Sequence, residues 1–202
     1  NGTTNYILSE MKDNDLSFDT ALKQAQELGF AEADPTFDIE GVDAAHKITI
    51  MASIAFGIPI NFDAVFIEGI NGLDQKDISY AEELGYRIKL LALAKLEERG
   101  VEVRVHPTLI PESRLVANVS GPMNAVLVKG NMVGPTLYYG AGAGAEPTAS
   151  AVVADIIDIA RQSQISNKPF IPSLGFMSNQ IKEKEILSID DINSEFYLRL
   201  SM

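Results

Sequence analysis

The segment Ala25–Lys47, AQELGFAEADPTFDIEGVDAAHK, joins two predicted helices through a loop that is rich in carboxylates. Gly29 is expected to end the first helix, because glycine readily adopts the left-handed conformation that follows many helices. Asp34-Pro35 marks a turn, since proline disfavours the α conformation in the residue before it. Gly41 then opens an apolar run, VDAAHKITIMASIAFG, whose three- and four-residue apolar spacing predicts a mostly buried helix.

A lysine and an aspartate are expected to share one face of this second helix. Asp43 and Lys47 are four residues apart, and the loop before them carries Glu32 and Asp38. Such a pair is most often a solvated surface pair that contributes little to stability. Because the helix is apolar almost all round after Lys47, a partly buried lysine is the alternative. In that case the carboxylates and the lysine can bind a small cationic substrate and move a proton.

The order and spacing of residues in this segment also resemble a known signature. It is carried by Ala25, Gly29-Phe30-Ala31, Asp34-Pro35, Asp38-Ile39, Gly41, Asp43 and Lys47. This pattern resembles the signature of the homoserine dehydrogenases. Two other segments resemble the same family, Asn1–Tyr6 and Gly140–Gly144 followed by Ala154-Asp155, so the resemblance covers residues 1–175.

The resemblance implies the reversible oxidation of L-homoserine to L-aspartate 4-semialdehyde by NAD or NADP, a step of the aspartate pathway to threonine and methionine. It implies that Lys47 is the general acid/base and that Asp43 holds it in place. It implies a substrate site in which Glu32 binds the ammonium group, together with Asp38, Gly2 and Thr3. It implies cofactor contacts at Gly142, Ala143 and Gly144. By itself the glycine-rich turn is a weak signal, because Gly and Ala there also let two backbones pack closely.

The composition excludes several other classes of protein. The 202 residues are 46% hydrophobic and 22% charged, which is typical of a soluble globular protein. The net charge of −12 disfavours binding to nucleic acid or to an anionic membrane surface. The absence of cysteine excludes disulfides and thiolate metal sites and is compatible with the cytoplasm. The two histidines have no partner pattern typical of a metal site, so no metal is expected.

The pattern changes from helices to strands at Tyr86. Four runs are consistent with strands: YRIKLLALAKLEE, VEVRVHPTLIP, NAVLVKG and GPTLYYG. The order predicts an α+β fold with helices packed on one face of a mainly antiparallel or mixed β-sheet. The strict alternation in VEVRV predicts a sheet with one solvated face. A second copy of the sheet in a homodimer is the expected cover for the other face, and an open solvated face is the alternative.

The resemblance also predicts how the domains are arranged. Residues 1–175 are expected to form the substrate-binding and dimerisation domain, with Gln164–Pro172 as a linker. Residues 176–202 are expected to contain a linker and the first strand, SEFYLRLSM, of a C-terminal ACT regulatory domain. The nucleotide-binding domain is expected before Asn1, so this segment alone is expected to be inactive.

Two other functions remain open from the residues alone. A lysine among carboxylates is also typical of Schiff-base aldolases and lyases, in which Lys47 forms a covalent adduct with a carbonyl substrate. The third possibility is a non-catalytic dimerisation module with solvated carboxylates.

Overall fold

The computed structural model describes residues 1–165 and 172–200. The α-helices of this part are α1 Gly2–Asp13, α2 Phe18–Glu27, the single turn α3 Thr36–Ile39, α4 Val42–Phe56, α5 Gln75–Glu83 and α6 Ala145–Ile165. The strands are β1 Phe66–Ile67, β2 Tyr86–Leu96, β3 Val101–Pro111, β4 Met123–Gly130 and β5 Gly134–Ala141. Two 3₁₀ turns cover Leu115–Asn118 and Ile189–Asp191.

The helix ends follow from local sequence signals and confirm the predicted helices. The side chain of Asn1 caps α1 by accepting a hydrogen bond from the amide of Thr4 at 3.0 Å, and Ser17 caps α2 in the same manner. Gly29 follows α2 with φ 76°, and Gly57 ends α4 with φ 63°, both in the left-handed region that glycine tolerates.

The strands form two separate sheets. One is a mixed sheet with the order β1-β3-β2, in which β2 and β3 are antiparallel and β1 is parallel to β3. The other is the antiparallel hairpin β4–β5. All four predicted strands are therefore confirmed, and so is the α+β class, but within the chain the strands pair two by two.

The helices α1, α2, α4 and α5 pack on one face of the mixed sheet. Val101, Val103 and Val105 of β3 share a core cluster with Ala45 and Ile48 of α4. A second cluster joins α1, α2 and α5 to the same face of β2. Its most buried large side chains are Ile7, Met11 and Ile70. Burial of such side chains is the main term that stabilises this layer, at about 1.5–3 kcal/mol for each.

Two expectations about exposure are wrong within this chain. The helix α4 is only half-buried, because it meets the sheet on one side while Ile50, Met51 and Ile54 on the other side are exposed. The polar face of VEVRV is not solvated, since the side chains of Glu102 and Arg104 are only 11% and 13% exposed. Nη2 of Arg104 lies 3.5 Å from Oε2 of Glu102, so the two charged groups lie together on the sheet instead of extending into water.

The hairpin β4–β5 and the helix α6 are the most exposed regular elements. Large apolar side chains on both are open to solvent: Val126, Leu127, Val128, Tyr138, Tyr139, Val152, Val153, Ile156, Ile157 and Ile159. An isolated two-stranded hairpin is marginally stable in water, so these surfaces need a further cover.

The segment 172–200 returns over the body of the domain. The amide of Lys182 donates to the carbonyl of Gly57 at 2.9 Å, and Ile186 forms an isolated parallel bridge with Val101 of β3. Arg199 pairs with Asp74, the residue that caps α5, at 2.7 Å. The strand predicted in SEFYLRLSM is not formed in its described part, residues 194–200, where no neighbouring strand pairs with the backbone.

The predicted linker Gln164–Pro172 lies mostly outside the described residues. At its start, Gln164 and Ile165 still belong to α6, and residues 166–171 and 201–202 are not described. In the part of the chain that is described, no helix is long and apolar enough to cross a membrane.

Candidate active site

The side chain of Asn1 joins two carboxylates that are far apart in the sequence. Its Nδ2 donates to Oδ1 of Asp38 at 2.6 Å and to Oδ2 of Asp43 at 2.7 Å. Its Oδ1 caps α1 by accepting from the amide of Thr4 at 3.0 Å. One amide group therefore fixes the start of α1, the turn α3 and the start of α4 against one another.

The predicted pair of Asp43 and Lys47 is formed. Nζ of Lys47 donates to Oδ2 of Asp43 at 2.7 Å, and the two side chains are 64% and 19% exposed, respectively. Burial raises the pKa of Asp43, but the hydrogen bonds from Lys47 and Asn1 outweigh this effect and hold the pKa below its ordinary value. Asp43 is thus kept as a carboxylate. Of the two alternatives for Lys47, the exposed position is the one found within this chain, since only Asp43 lies against the body of the domain.

Thr3 connects the same cluster to the loop after α2. Its hydroxyl lies 2.6 Å from the carbonyl oxygen of Phe30 and 2.9 Å from Oδ2 of Asp38. Since a hydroxyl has one proton, it is shared between two acceptors. The ring of Phe30 packs against Tyr6 with a centroid distance of 5.0 Å, which holds the loop close to α1. Asp38, predicted to support a polar pocket, is therefore fixed by both Asn1 and Thr3.

Gly41 explains why this cluster can form beside the sheet. Its φ is +84°, and a methyl group there would lie 3.1 Å from Cγ1 of Val105 on β3. A side chain at this position would strain the backbone and push the start of α4 away from the sheet. The glycine thus sets the position of Asp43 and Lys47 on the first turns of the helix.

Two of the predicted substrate residues lie outside the Asn1 hydrogen-bond network. Glu32 is exposed on the loop, where its carbonyl accepts from Gln26 at 3.0 Å. Within residues 1–165 and 172–200, its side chain has no hydrogen bond. Gly2 begins α1 close to another segment, since a methyl group there would lie 2.8 Å from the carbonyl oxygen of Pro122. Only glycine fits this approach without a shift of the backbone.

The predicted cofactor residues lie together on an exposed turn between β5 and α6. Gly142, Ala143 and Gly144 are all exposed, and Gly144 has φ +111°. A methyl group at Gly142 would lie 2.7 Å from Nδ2 of Asn124. The turn leads into the amino end of the long helix α6, whose first amide groups suit a phosphate. These features fit one wall of a dinucleotide site and no more than one wall.

Sequence reasoning missed the roles of Asn1 and Lys89. In the sequence Asn1 stood out only as part of the Asn1–Tyr6 segment, although an amide side chain can cap a helix with its oxygen and still donate two N–H groups to other acceptors. Lys89 is buried, and its Nζ donates to Oδ1 of Asn5 at 2.8 Å and to the carbonyl of Val119 at 2.6 Å. Lys89 lies in a run that was predicted to be a strand. The order of residues in that run did not indicate that the lysine is buried.

The side chains that could bind a metal are not clustered in the described residues. In the described residues, no three side chains of His, Cys, Asp or Glu are grouped in a way that could hold a metal ion. His46 instead stacks on Phe62 with a centroid distance of 4.1 Å and an interplanar angle of 11°.

Comparison with known proteins agrees with the resemblance seen in the sequence. The family model for homoserine dehydrogenase matches residues 1–157. A homoserine dehydrogenase of Neisseria gonorrhoeae is 62% identical over 200 residues, which are 99% of this chain and 46% of that protein. One of Pseudomonas aeruginosa is 56% identical over 200 residues, again 99% of this chain and 46% of that protein. The chain therefore spans about half the length of the curated relatives it matches.

Solved structures give the same result for the fold. The crystal structure of a homoserine dehydrogenase from Thiobacillus denitrificans has a TM-score of 0.91 and 61% identity, covering 95% of this chain and 44% of that chain. A hyperthermophilic archaeal homoserine dehydrogenase mutant in complex with NADPH has a TM-score of 0.63 and 26% identity, covering 84% and 47%. With a family model that matches most of its length and relatives of more than half identity, this chain belongs to the homoserine dehydrogenase family.

Proposed function

We propose that the protein containing this chain catalyses the reversible oxidation of L-homoserine to L-aspartate 4-semialdehyde with NAD or NADP. Family membership supports the proposal. The observation that carries it is the contact between Nζ of Lys47 and Oδ2 of Asp43 at 2.7 Å, on an oxygen that Asn1 also binds. A lysine held by a fixed carboxylate at an exposed position can exchange a proton with a substrate hydroxyl.

Lys47 is the proposed general acid/base. In the direction of oxidation it removes the proton of the hydroxyl as the carbonyl forms, and in the reverse direction it returns the proton to the developing alkoxide. Its charged form also stabilises negative charge on that oxygen. Asp43 orients the ammonium group, and Asn1 keeps Asp43 from turning away. A bound NAD or NADP supplies the hydride acceptor or donor for the carbon that bears the oxygen.

The proposed substrate residues lie on α1, on the loop after α2 and on α3. The exposed carboxylate of Glu32 is proposed to bind the substrate ammonium, and Asp38 is proposed to support the same polar pocket. Asp38 already accepts hydrogen bonds from Asn1 and Thr3, so its role is to hold the pocket in shape more than to bind directly. Gly2 and Thr3 are proposed to approach the substrate through the first amides and the hydroxyl of α1.

The cofactor is proposed to contact Gly142, Ala143 and Gly144. The exposed glycine turn and the amino end of α6 support this position. The NADPH complex of the related archaeal enzyme supports the choice of cofactor. The remaining walls are proposed to come from a nucleotide-binding domain before Asn1. Such a domain is also proposed to cover the apolar side chains of α6 that are exposed in the described part of the chain.

Residues 1–175 are proposed to act as the substrate-binding and dimerisation domain, and residues 176–202 as the link to a following ACT domain. A homodimer is proposed because the hairpin β4–β5 stands alone with exposed Leu127 and Tyr138 on its two faces. A second copy of the chain is the proposed cover. The partner of the site is proposed to be a small-molecule substrate. The net charge of −12 disfavours binding to nucleic acid. We propose that the protein is located in the cytoplasm.

The test is an assay of the purified full-length protein with L-homoserine and either NAD or NADP. We expect the absorbance of the reduced nicotinamide to rise with homoserine and cofactor together, and aspartate 4-semialdehyde to form in equal amount. Residues 1–202 alone should show no turnover. If the full-length protein is inactive with both cofactors in both directions, the proposal is wrong.

A further inference from the structure

Asn124 stands between the two halves of the proposed site. It is the second residue of β4, opposite Gly140 in the register of the hairpin, and β5 ends one residue before Gly142. A methyl group at Gly142 would lie 2.7 Å from Nδ2 and 2.9 Å from Cγ of Asn124. A methyl group at Gly2 would lie 3.4 Å from the same Nδ2. The amide of Asn124 therefore touches the cofactor turn and the start of α1.

The beginning of β4 is fixed to α1 by hydrogen bonds. Nδ2 of Asn5 donates to the carbonyls of Gly121 and Met123, each at 3.0 Å. The amide of Gly121 donates to Oγ of Ser9 at 3.1 Å. Lys89 in turn holds Oδ1 of Asn5 at 2.8 Å. Three side chains thus tie this loop to the helix whose first residues are proposed to bind the substrate.

The glycine turn has no comparable restraint in the described residues. Gly142, Ala143 and Gly144 are exposed, and none of them takes part in a hydrogen bond with α1. The pairing of Met123 with Ala141 places the end of β5 next to the loop, and the side chain of Asn124 is a contact through which the position of Gly142 itself depends on α1. Because Nδ2 of Asn124 donates to the carbonyl of Pro122 at 3.3 Å, the amide is itself restrained by the loop.

We infer that Asn124 is a positioning residue that sets the distance between the Gly142–Gly144 turn and the start of α1. The inference rests on the proposed function, in which the turn holds the cofactor and α1 holds the substrate. Hydride transfer requires the reacting carbons to be close and aligned, and a displacement of about 1 Å can cost about a hundredfold in rate. The effect of a larger residue at position 142 is therefore expected to depend on the size of the side chain at position 124.

The experiment is a double-mutant cycle in the full-length protein with Gly142→Ala and Asn124→Ala. Neither Gly142 nor Gly140 has a positive φ, so substitution by alanine tests space and not backbone strain. Gly140→Ala is the matched control, because nothing lies within 4 Å of the added methyl group. The quantities are kcat and KM for homoserine, the Kd of the reduced cofactor by fluorescence, and the deuterium isotope effect at the reacting carbon.

We expect Gly142→Ala to lower kcat about tenfold or more, with KM for homoserine changed less than about threefold and a larger isotope effect. The double variant should be more active than Gly142→Ala, because loss of the amide frees the space. Gly140→Ala should match the wild type. Independent, multiplicative effects of the two substitutions, or a fully active Gly142→Ala variant, would overturn the inference.

A readout without cofactor separates this inference from the proposed function. Hydrogen–deuterium exchange of the amides of residues 142–144 in the full-length protein should be faster in Asn124→Ala than in wild type or Gly140→Ala. Equal exchange in all three would also overturn the inference. If the wild-type protein fails to oxidise homoserine but the exchange result is found, the proposed function is wrong while the contact through Asn124 stands.

Discussion

Nδ2 of Asn1 lies 2.7 Å from Oδ2 of Asp43, the same oxygen atom that accepts the hydrogen bond from Nζ of Lys47. The oxygen is thus held between a neutral donor at the start of α1 and a charged donor on α4. Hydrogen bonds to a charged group contribute about 1.5–3 kcal/mol each. The direction in which Asp43 presents the lysine is therefore fixed by a residue far away in the sequence.

Replacement of this donor by an acceptor should disrupt the site. Asn1→Asp in the full-length protein keeps the capping oxygen but places a third carboxylate against Asp38 and Asp43. We expect the free energy of unfolding, measured by urea titration at neutral pH, to fall by at least about 2 kcal/mol. Asn1→Ser is the control, because it retains a cap oxygen and adds no charge, and it should cost less. Equal losses for the two variants would show that the charges do not face each other.

Removal of Lys47 should abolish most of the rate. General acid–base catalysis contributes about 10²–10⁴-fold, so Lys47→Ala should lower kcat for homoserine oxidation at least about a hundredfold. Cofactor binding and the melting temperature should hardly change, because the side chain is 64% exposed and is proposed to act on the substrate and not on the cofactor. Lys23→Ala is the matched control, since Lys23 forms another pair at the same helical spacing with Glu27. A folded Lys47→Ala variant with kcat within about threefold of wild type would reject the role.

Glu32 is expected to act on substrate binding and not on chemistry. Glu32→Gln keeps the size of the side chain but removes the charge that would pair with the substrate ammonium. A lost charge-assisted hydrogen bond costs about 1.5–3 kcal/mol, so KM for homoserine should rise by about one to two orders of magnitude. Glu40→Gln, an exposed glutamate on the same connection, should have no effect. Unchanged KM and kcat/KM in Glu32→Gln would remove it from the site.

The buried Lys89 predicts an unusual dependence of stability on pH. Burial lowers the pKa of Lys89 from 10.5 to about 8, helped by the positive charges of Arg87 and Lys12 and opposed by Asp13. Between these values the unfolded chain binds more protons than the folded one. Stability should therefore rise as the pH increases from about 8 to about 10.5, by about 3 kcal/mol if nothing else changes.

The measurement is the free energy of unfolding by urea at a series of pH values. Lys89→Met is the comparison, because it fills the same space without a titrating group. The rise above pH 8 should be present in the wild type and absent from the variant. Parallel curves for the two proteins would mean that Lys89 keeps its ordinary pKa and is better solvated than its position suggests.

The exposed hairpin predicts a dimer. Sedimentation of the purified protein at micromolar concentration should give twice the mass of one chain, and Leu127→Lys should shift it toward the monomer. Leu115→Lys is the control, because Leu115 is 71% exposed but belongs to a 3₁₀ turn and not to the hairpin. A monomeric wild type, or equal effects of the two lysines, would mean that this surface is not the interface.

The features that could be predicted from sequence are those with local causes. Ser17, Gly29 and Gly57 mark helix ends because their side chains, or the lack of one, act on neighbouring backbone groups. Asp43 and Lys47 meet because four residues make about one turn of a helix. The division of the strands into a mixed sheet and a separate hairpin has no such signal, since alternation gives the face of a strand and not its neighbour.

The tertiary contacts of the site could not be predicted in the same way. Asn1 bonds to Asp38 and Asp43, and these bonds depend on how α1 packs across the loop, which no short pattern encodes. Asn124 reaches Gly142 because β4 and β5 are paired in one register. The exposure of side chains was the least predictable property. An apolar helix such as α4 has the same sequence pattern whether its second face is covered by this chain or by another protein chain.

The isolated bridge between Val101 and Ile186 affects when this domain can finish folding during translation. The amide of Val101 donates to the carbonyl of Glu185 at 2.8 Å, and the amide of Leu187 donates back to the carbonyl of Val101 at 3.0 Å. Leu187 is buried there. Val101 is paired with Leu96 of β2 on one side, so the other side of β3 stays unpaired at Val101 until residues well beyond α6 have left the ribosome. Because domains fold as units during translation, this domain is expected to complete its fold only after residues 185–187 have been synthesised. A protein truncated after α6 is expected to leave this side of β3 without its hydrogen-bond partners.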